Sequence, residues 1–232
     1  MDEAERLATR YERKFFVTEL DRAQVRSIVR RHPVLFREAY PPRYINNLYL
    51  DTPWMGHYQD NLDGAPERMK VRVRWYHALE ARAERPVLEF KIKRGWVGWK
   101  ESLPFPPLEV GPELSAAGLR TLVEGSDLPP LVRERLAGLR PALVNRYRRE
   151  YYATPDGRFR VTIDDELAYY AVHPLAGGLH ARAADHGVVI VELKYDRAHE
   201  RQAERVASRF PFRLTRSSKY VRGVERCGAQ VS

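Results

Sequence analysis

Lysine and arginine recur at every second residue in short stretches of this chain: Lys70, Arg72 and Arg74; Lys91 and Lys93; Arg146 and Arg148; Arg158 and Arg160; and Lys194 after Glu192. A strand sends successive side chains to opposite faces, so a period of two gathers each set on one face. The residues between them are Val71, Val73, Phe90, Ile92, Tyr147, Tyr151, Phe159, Val161, Val191 and Leu193, which make the other face apolar or aromatic. With Glu89, Glu150, Asp164 and Glu192, the polar faces carry ten cations against four acids. A solvated sheet face usually mixes its signs, because like charges directly opposite across strands destabilise the pair. The chemistry open to such an array is binding of a polyanion. Arginine meets phosphate through two parallel N–H groups, and lysine acts as a point charge. Glu192, an oxygen donor among cations, suits Mg²⁺ or Mn²⁺ held on phosphates.

The elements that must position these groups are read from alternation and punctuation. Strands are expected at Arg10–Thr18, Tyr44–Asp51, Met69–His77, Val87–Arg94, Val144–Ala153, Arg158–Glu166 and Val188–Tyr195. Helices are expected at Asp21–Arg31, Pro112–Glu124, Leu128–Leu139 and Arg197–Arg209, with a last one starting near Ser217 or Ser218. Pro41-Pro42, Pro129-Pro130, Pro155-Asp156-Gly157 and Gly177-Gly178 mark turns. Many antiparallel strands with a few helices laid around them make an α+β fold. No linker composition interrupts residues 1–232, so one domain is expected. If the sheet closes with its basic face inward, the lumen needs a bound polyanion or counterions.

At 232 residues and a formal net charge of +9, the chain calls for an anionic partner. It has no apolar run of the roughly 20 residues that span a bilayer. It is charged from its second residue, unlike a secretory leader, and its single Cys227 cannot form an internal disulfide. A cytoplasmic location is expected; Arg201, Arg205 and Arg209 make a basic helix face that reads first as solvated and alternatively as a peripheral contact with a membrane or a membrane partner. No phosphate loop with a Gly-Lys-Ser/Thr ending occurs; Gly95–Lys100 has the wrong spacing and reads as a turn between strands. His173, His180 and His186 lack metal-ligand spacing.

Read in order, several segments resemble the triphosphate tunnel metalloenzymes and, within them, the VTC-type (vacuolar transporter chaperone) polyphosphate polymerase domain. They are Glu12–Val17 (ERKFFV), Asn46–Pro53 (NNLYLDTP), Val71–Tyr76 (VRVRWY), Glu89–Gly95 (EFKIKRG), Asn145–Tyr152 (NRYRREYY), Arg160–Asp164 (RVTID), Val189–Asp196 (VIVELKYD) and Ser217–Glu225 (SSKYVRGVE). The resemblance implies an antiparallel eight-stranded β-barrel with helices outside, whose lumen binds triphosphate and metal. It carries a catalytic, phosphate-contacting role to Lys14, Arg72, Arg74, Lys91, Lys100, Arg146, Arg160 and Lys219. Arg68, Lys93, Lys194, Ser217 and Ser218 become further phosphate-binding positions. Glu192 takes the place of the family's metal-binding glutamate. The wider family's first-strand Glu-x-Glu-x-Lys here reads Arg10-Tyr11-Glu12-Arg13-Lys14, one acid short. Glu12 is therefore either a second metal ligand or a partner for a neighbouring cation.

The activity so implied is transfer of the terminal phosphoryl group of ATP to phosphate or to a growing polyphosphate chain, with Mn²⁺ or Mg²⁺. Water in the acceptor's place would make a triphosphatase; binding without turnover would make a polyphosphate sensor. A nucleic-acid binder is the rival from another class. It is disfavoured because Trp75, Tyr147 and Tyr151 fall on faces opposite the cations by the alternation above, whereas stacking platforms share the cationic face.

Overall fold

The period-two segments become strands. In a computed structural model that describes residues 10–95, 97–173 and 175–228, nine strands form: β1 (Arg10–Val17), β2 (Arg37–Asp51), β3 (Glu67–Tyr76), β4 (Val87–Arg94), β5 (Val97–Pro104), β6 (Arg140–Ala153), β7 (Phe159–Val172), β8 (Leu179–Asp185) and β9 (Val189–Asp196). Six helices join them: α1 (Arg22–Arg30), α2 (Gly56–Asp63), α3 (Ala116–Glu124), α4 (Pro130–Ala137), α5 (Glu200–Ala207) and α6 (Lys219–Cys227). The strands hydrogen-bond in the order β1-β9-β7-β6-β2-β3-β4-β5, with β8 on β7. This is the expected antiparallel α+β fold with two differences. There are nine strands rather than eight, and the bonded path runs open from β1 to β5, so hydrogen bonds do not close a barrel.

The chain forms two compact units that share β2, β6 and β7. The first holds residues up to Tyr44, Tyr147–Leu167 and Asp185–Ser217; the second holds Ile45–Arg146, Ala168–Ala184 and the chain from Ser218. Each has its own apolar cluster. In the first unit Phe15, Val161, Ile163, Val191 and Leu193 pack with Val25 and Val29 of α1 and with Ala203 and Val206 of α5. In the second, Val71, Val73, Leu88 and Phe90 pack with Leu119 and Val123 of α3 and Leu136 of α4. Strand faces that carry no charge are thus the faces the helices cover.

Local chemistry fixes the helix starts. Asp21 and Gln24 form a reciprocal capping box at α1, and the Ser218 hydroxyl accepts from Val221 N at 3.4 Å at α6. The sequence GHYQDNLD of α2 has no apolar stripe, and none of its residues is buried. What holds it is Asp51, fully buried, which accepts from the backbone N–H groups of His57 and Tyr58 at 2.8 Å each. Asp51 also accepts from the Tyr220 hydroxyl at 2.5 Å, and the Tyr220 ring stacks on Tyr49 at 4.6 Å.

Gly223 of α6 sits on this packing. A Cβ there would meet the side chains of Leu143 and Tyr169 inside van der Waals contact. Gly223→Ala gains up to about 1 kcal/mol of helix propensity but overpacks a filled site, which costs about 1–3 kcal/mol. A net loss of stability is expected in a denaturant melt; a gain would mean that Leu143 and Tyr169 yield easily.

Candidate active site

On β3 to β5, in the second unit, register decides which charges meet. Arg68 lies opposite Lys93, Lys70 opposite Lys91, Arg72 opposite Glu89, and Lys91 opposite Lys100. Lys70, Lys91 and Lys100 therefore form a row of three ammonium groups on adjacent strands. This face holds seven cations (Arg68, Lys70, Arg72, Arg74, Lys91, Lys93, Lys100) and one acid, Glu89. Glu89 is 3% exposed and organises its neighbours: Arg72 Nε at 2.6 Å, Lys100 Nζ at 3.0 Å and an Arg74 terminal nitrogen at 3.5 Å. Burial alone would raise its pKa, but Arg72, Arg74 and Lys100 bring it down to about 2. Arg74 is aimed a second way, by Nε donating to Asn47 Oδ1 at 2.9 Å, while Asn47 Nδ2 donates to Asn145 Oδ1 at 2.8 Å.

In the first unit, β1, β9 and β7 bring a different mixture together. Lys14 lies opposite Glu192, Thr162 opposite Glu192, and Arg160 opposite Lys194. Lys14 Nζ stands 3.0 Å from Glu12 and 3.7 Å from Glu192, and donates to the Ser217 carbonyl at 3.4 Å. Glu192, 5% exposed, also meets Lys194 Nζ at 2.9 Å and Arg149 at 3.1 Å. Arg149 is buried and grips Asp164 with two parallel bonds of 2.5 and 2.6 Å. Burial disfavours its charge, yet the carboxylates of Asp164 and Glu192 hold its pKa well above the usual guanidinium value. Four cations (Lys14, Arg149, Arg160, Lys194) here face three acids (Glu12, Asp164, Glu192). The excess of positive charge lies on β3 to β5.

Strand β6 corrects the reading by alternation. Arg146, Arg148 and Glu150 were expected on the cationic face, and the structure turns them away from it. Arg148 and Arg26 of α1 pair with Glu150 at 2.8 and 2.5 Å, under the helix. Those arginines and the Tyr152 hydroxyl bring the Glu150 pKa down to about 2 against its burial. Arg146 donates to Asn46 Oδ1 at 2.9 Å and to the His77 carbonyl at 2.8 Å; Asn46 lies opposite the core residue Trp75. It is Asn145, Tyr147, Arg149 and Tyr151 that alternate onto the other face, so the aromatic rings share a side with a cation. Arg149 is the site residue that the sequence reading missed. The signal was the adjacent pair Arg148-Arg149, which leaves the phase of the strand undecided. Elsewhere Lys219 is the first residue of α6, half-buried and next to its cap Ser218. Arg68 donates to the Gly64 and Ala65 carbonyls at 3.2 and 2.5 Å, and Arg160 is exposed.

Residues 9–227 match the VTC domain. The chain belongs to that family. A search of curated proteins finds no match. Among solved structures, a candidate adenylate cyclase from Vibrio parahaemolyticus aligns with a TM-score of 0.52 and 14% identity, over 92% of this chain and 97% of its own. A candidate adenylyl cyclase from Hippeastrum, described as having a dominant triphosphatase activity, aligns at 0.50 and 16% identity, over 94% and 96%. At such identities the likeness is one of fold. The VTC domain thus shares its fold with these two proteins.

The carboxylates of this VTC domain offer a divalent cation one place. Glu12 and Glu192 both converge on Lys14 Nζ, and both are hard oxygen donors of the kind Mg²⁺ and Mn²⁺ take. Asp164 is already engaged by Arg149 through both oxygens. Among the described residues no group of three or more acidic, histidine or cysteine side chains could hold a metal. An ion on Glu192 and Glu12 would therefore take the rest of its shell from water or from a bound ligand.

Proposed function

We propose that this VTC domain transfers the terminal phosphoryl group of ATP to orthophosphate or to the end of a polyphosphate chain. The observation that carries this reading is the row Lys70–Lys91–Lys100 on a face of seven cations and one acid. Like charges directly opposite across strands disfavour one another, and Lys100 shares Glu89 with Arg72 and Arg74. A chain of phosphates laid across the row would add negative charge to a face that has little of it.

Phosphoryl transfer needs alignment and charge stabilisation more than covalent help. Arg72, Arg74, Lys91 and Lys100 would grip phosphate oxygens. In the first unit, Lys14 and Lys194, which rest against Glu192, would likewise exchange a carboxylate for a phosphate oxygen. Mn²⁺ or Mg²⁺ on Glu192 and Glu12, when bound, would neutralise phosphate oxygens. No protein nucleophile is required. The domain would act in the cytoplasm, near a membrane partner that receives the product.

Incubation with ATP and Mn²⁺, read for polyphosphate on a gel and for released orthophosphate, tests the proposal. Long chains are expected from the wild type and at least a hundredfold less from Glu192→Gln, on the order of what one lost transition-state contact costs. Orthophosphate without chains would make the domain a triphosphatase. Tight binding of tripolyphosphate without turnover would make it a sensor.

A further inference from the structure

Tyr151 lies two residues beyond Arg149 on β6 and shares its face. The β6–β7 hairpin closes where Thr154 N donates to Phe159 O at 3.0 Å. Counting along both strands from that bond sets Arg149 opposite Asp164, as their ion pair requires, and Tyr151 opposite Thr162. Thr162 is the registered partner of Glu192, and Glu192 of Lys14. Tyr151 therefore continues a cross-strand row that begins at Lys14. Three steps between strands span about 14 Å, the scale of an extended nucleoside triphosphate.

Beyond Tyr151 the row ends in groups that suit a base. The Tyr40 ring stands 5.8 Å from the Tyr151 ring at 87° and is 63% exposed. Arg43 Nε donates to the Tyr151 hydroxyl at 3.0 Å, with its guanidinium 5.1 Å from the ring centroid. Pro41 and Pro42 stiffen the backbone between Tyr40 and Arg43. These three side chains hold one another in place before any ligand arrives, and an aromatic ring left mainly in water adds little to stability. An exposed ring beside a guanidinium stacks on any base.

We propose that Tyr40, Tyr151 and Arg43 form the nucleobase subsite for the nucleoside triphosphate donor, with its phosphates running along the row toward Glu192 and Lys14. This inference rests on the reading of ATP as donor and adds the group that distinguishes a nucleotide from inorganic triphosphate. Stacking of this kind tolerates all bases, so GTP is expected to behave as ATP does.

Calorimetric titration of the full chain with ATP and, separately, with inorganic tripolyphosphate tests it. Tyr40→Ala and Tyr151→Ala are each expected to weaken ATP binding about tenfold, as loss of one base–aromatic stack does. The ratio of ATP to tripolyphosphate affinity should fall by the same factor, and Tyr40→Phe should restore it. Equal losses for both ligands, or unchanged ATP binding, would overturn the subsite. So would a wild-type protein that takes tripolyphosphate but not ATP. Failure to bind tripolyphosphate at all would instead remove the phosphate-binding reading beneath it.

Discussion

Replacing Arg149 with methionine is expected to cost about 3–5 kcal/mol of stability, as removal of one partner from a buried ion pair does. The guanidinium is buried and makes three bonds, two to Asp164 and one to Glu192. Asp164 is fully buried and Glu192 nearly so. Glu192 keeps Lys194 when Arg149 is lost. Asp164 loses its bidentate partner, and its buried charge is then compensated less well. For a chain of this size, a thermal melt should fall by roughly 6–20 °C, at about 2–4 °C per kcal/mol. Joining Asp164→Leu to Arg149→Met should recover most of the loss, because an ion pair replaced whole by apolar groups is often neutral. A single variant that melts with the wild type would show that the pair has no structural role.

That prediction concerns a residue the sequence reading passed over, and the reason is one of phase. Alternation says that side chains two apart share a face; it does not say which face meets the helices. On β3 and β4 the question answers itself. Val71, Val73, Leu88 and Phe90 are all apolar, and so Arg72, Arg74, Glu89 and Lys91 must face away from them. On β6 both phases carry arginine and tyrosine, so hydrophobicity cannot choose. The choice is made by Arg26 of α1, whose partner Glu150 is drawn under the helix, and by Asp164 across the hairpin, which claims Arg149. Neither contact is local. The capping box at Asp21 is local, and α1 was legible almost to the residue. Helix α2 and strand β5 were not. The first is held by Asp51 rather than by an apolar stripe. The second carries Gly98 and ends at Pro104 while taking its order from pairing with β4.

Below about pH 4.5 the protein is expected to lose stability, with Glu89 as a principal cause. Its carboxyl titrates near 2 when folded, against an ordinary 4.5. A folded pKa below the unfolded one contributes stability that is fully present above about pH 4.5 and disappears as the pH falls toward 2. At 1.36 kcal/mol per unit, the contribution is on the order of 3 kcal/mol. Glu89→Gln should melt lower than the wild type at pH 7 and change less between pH 5 and 2. The same variant leaves Arg72, Arg74 and Lys100 without the carboxylate they share, on a face already rich in cations. An anion lying across them then relieves more repulsion than it does in the wild type. Ligands that bind only the folded state stabilise it in proportion to the logarithm of their affinity. Tripolyphosphate is therefore expected to raise the melting temperature of Glu89→Gln by more than that of the wild type, and the difference should shrink as salt screens the face. Equal shifts in the two proteins would mean that phosphate does not meet the cations Glu89 organises, and that the seven-to-one face of β3 to β5 serves some other anion.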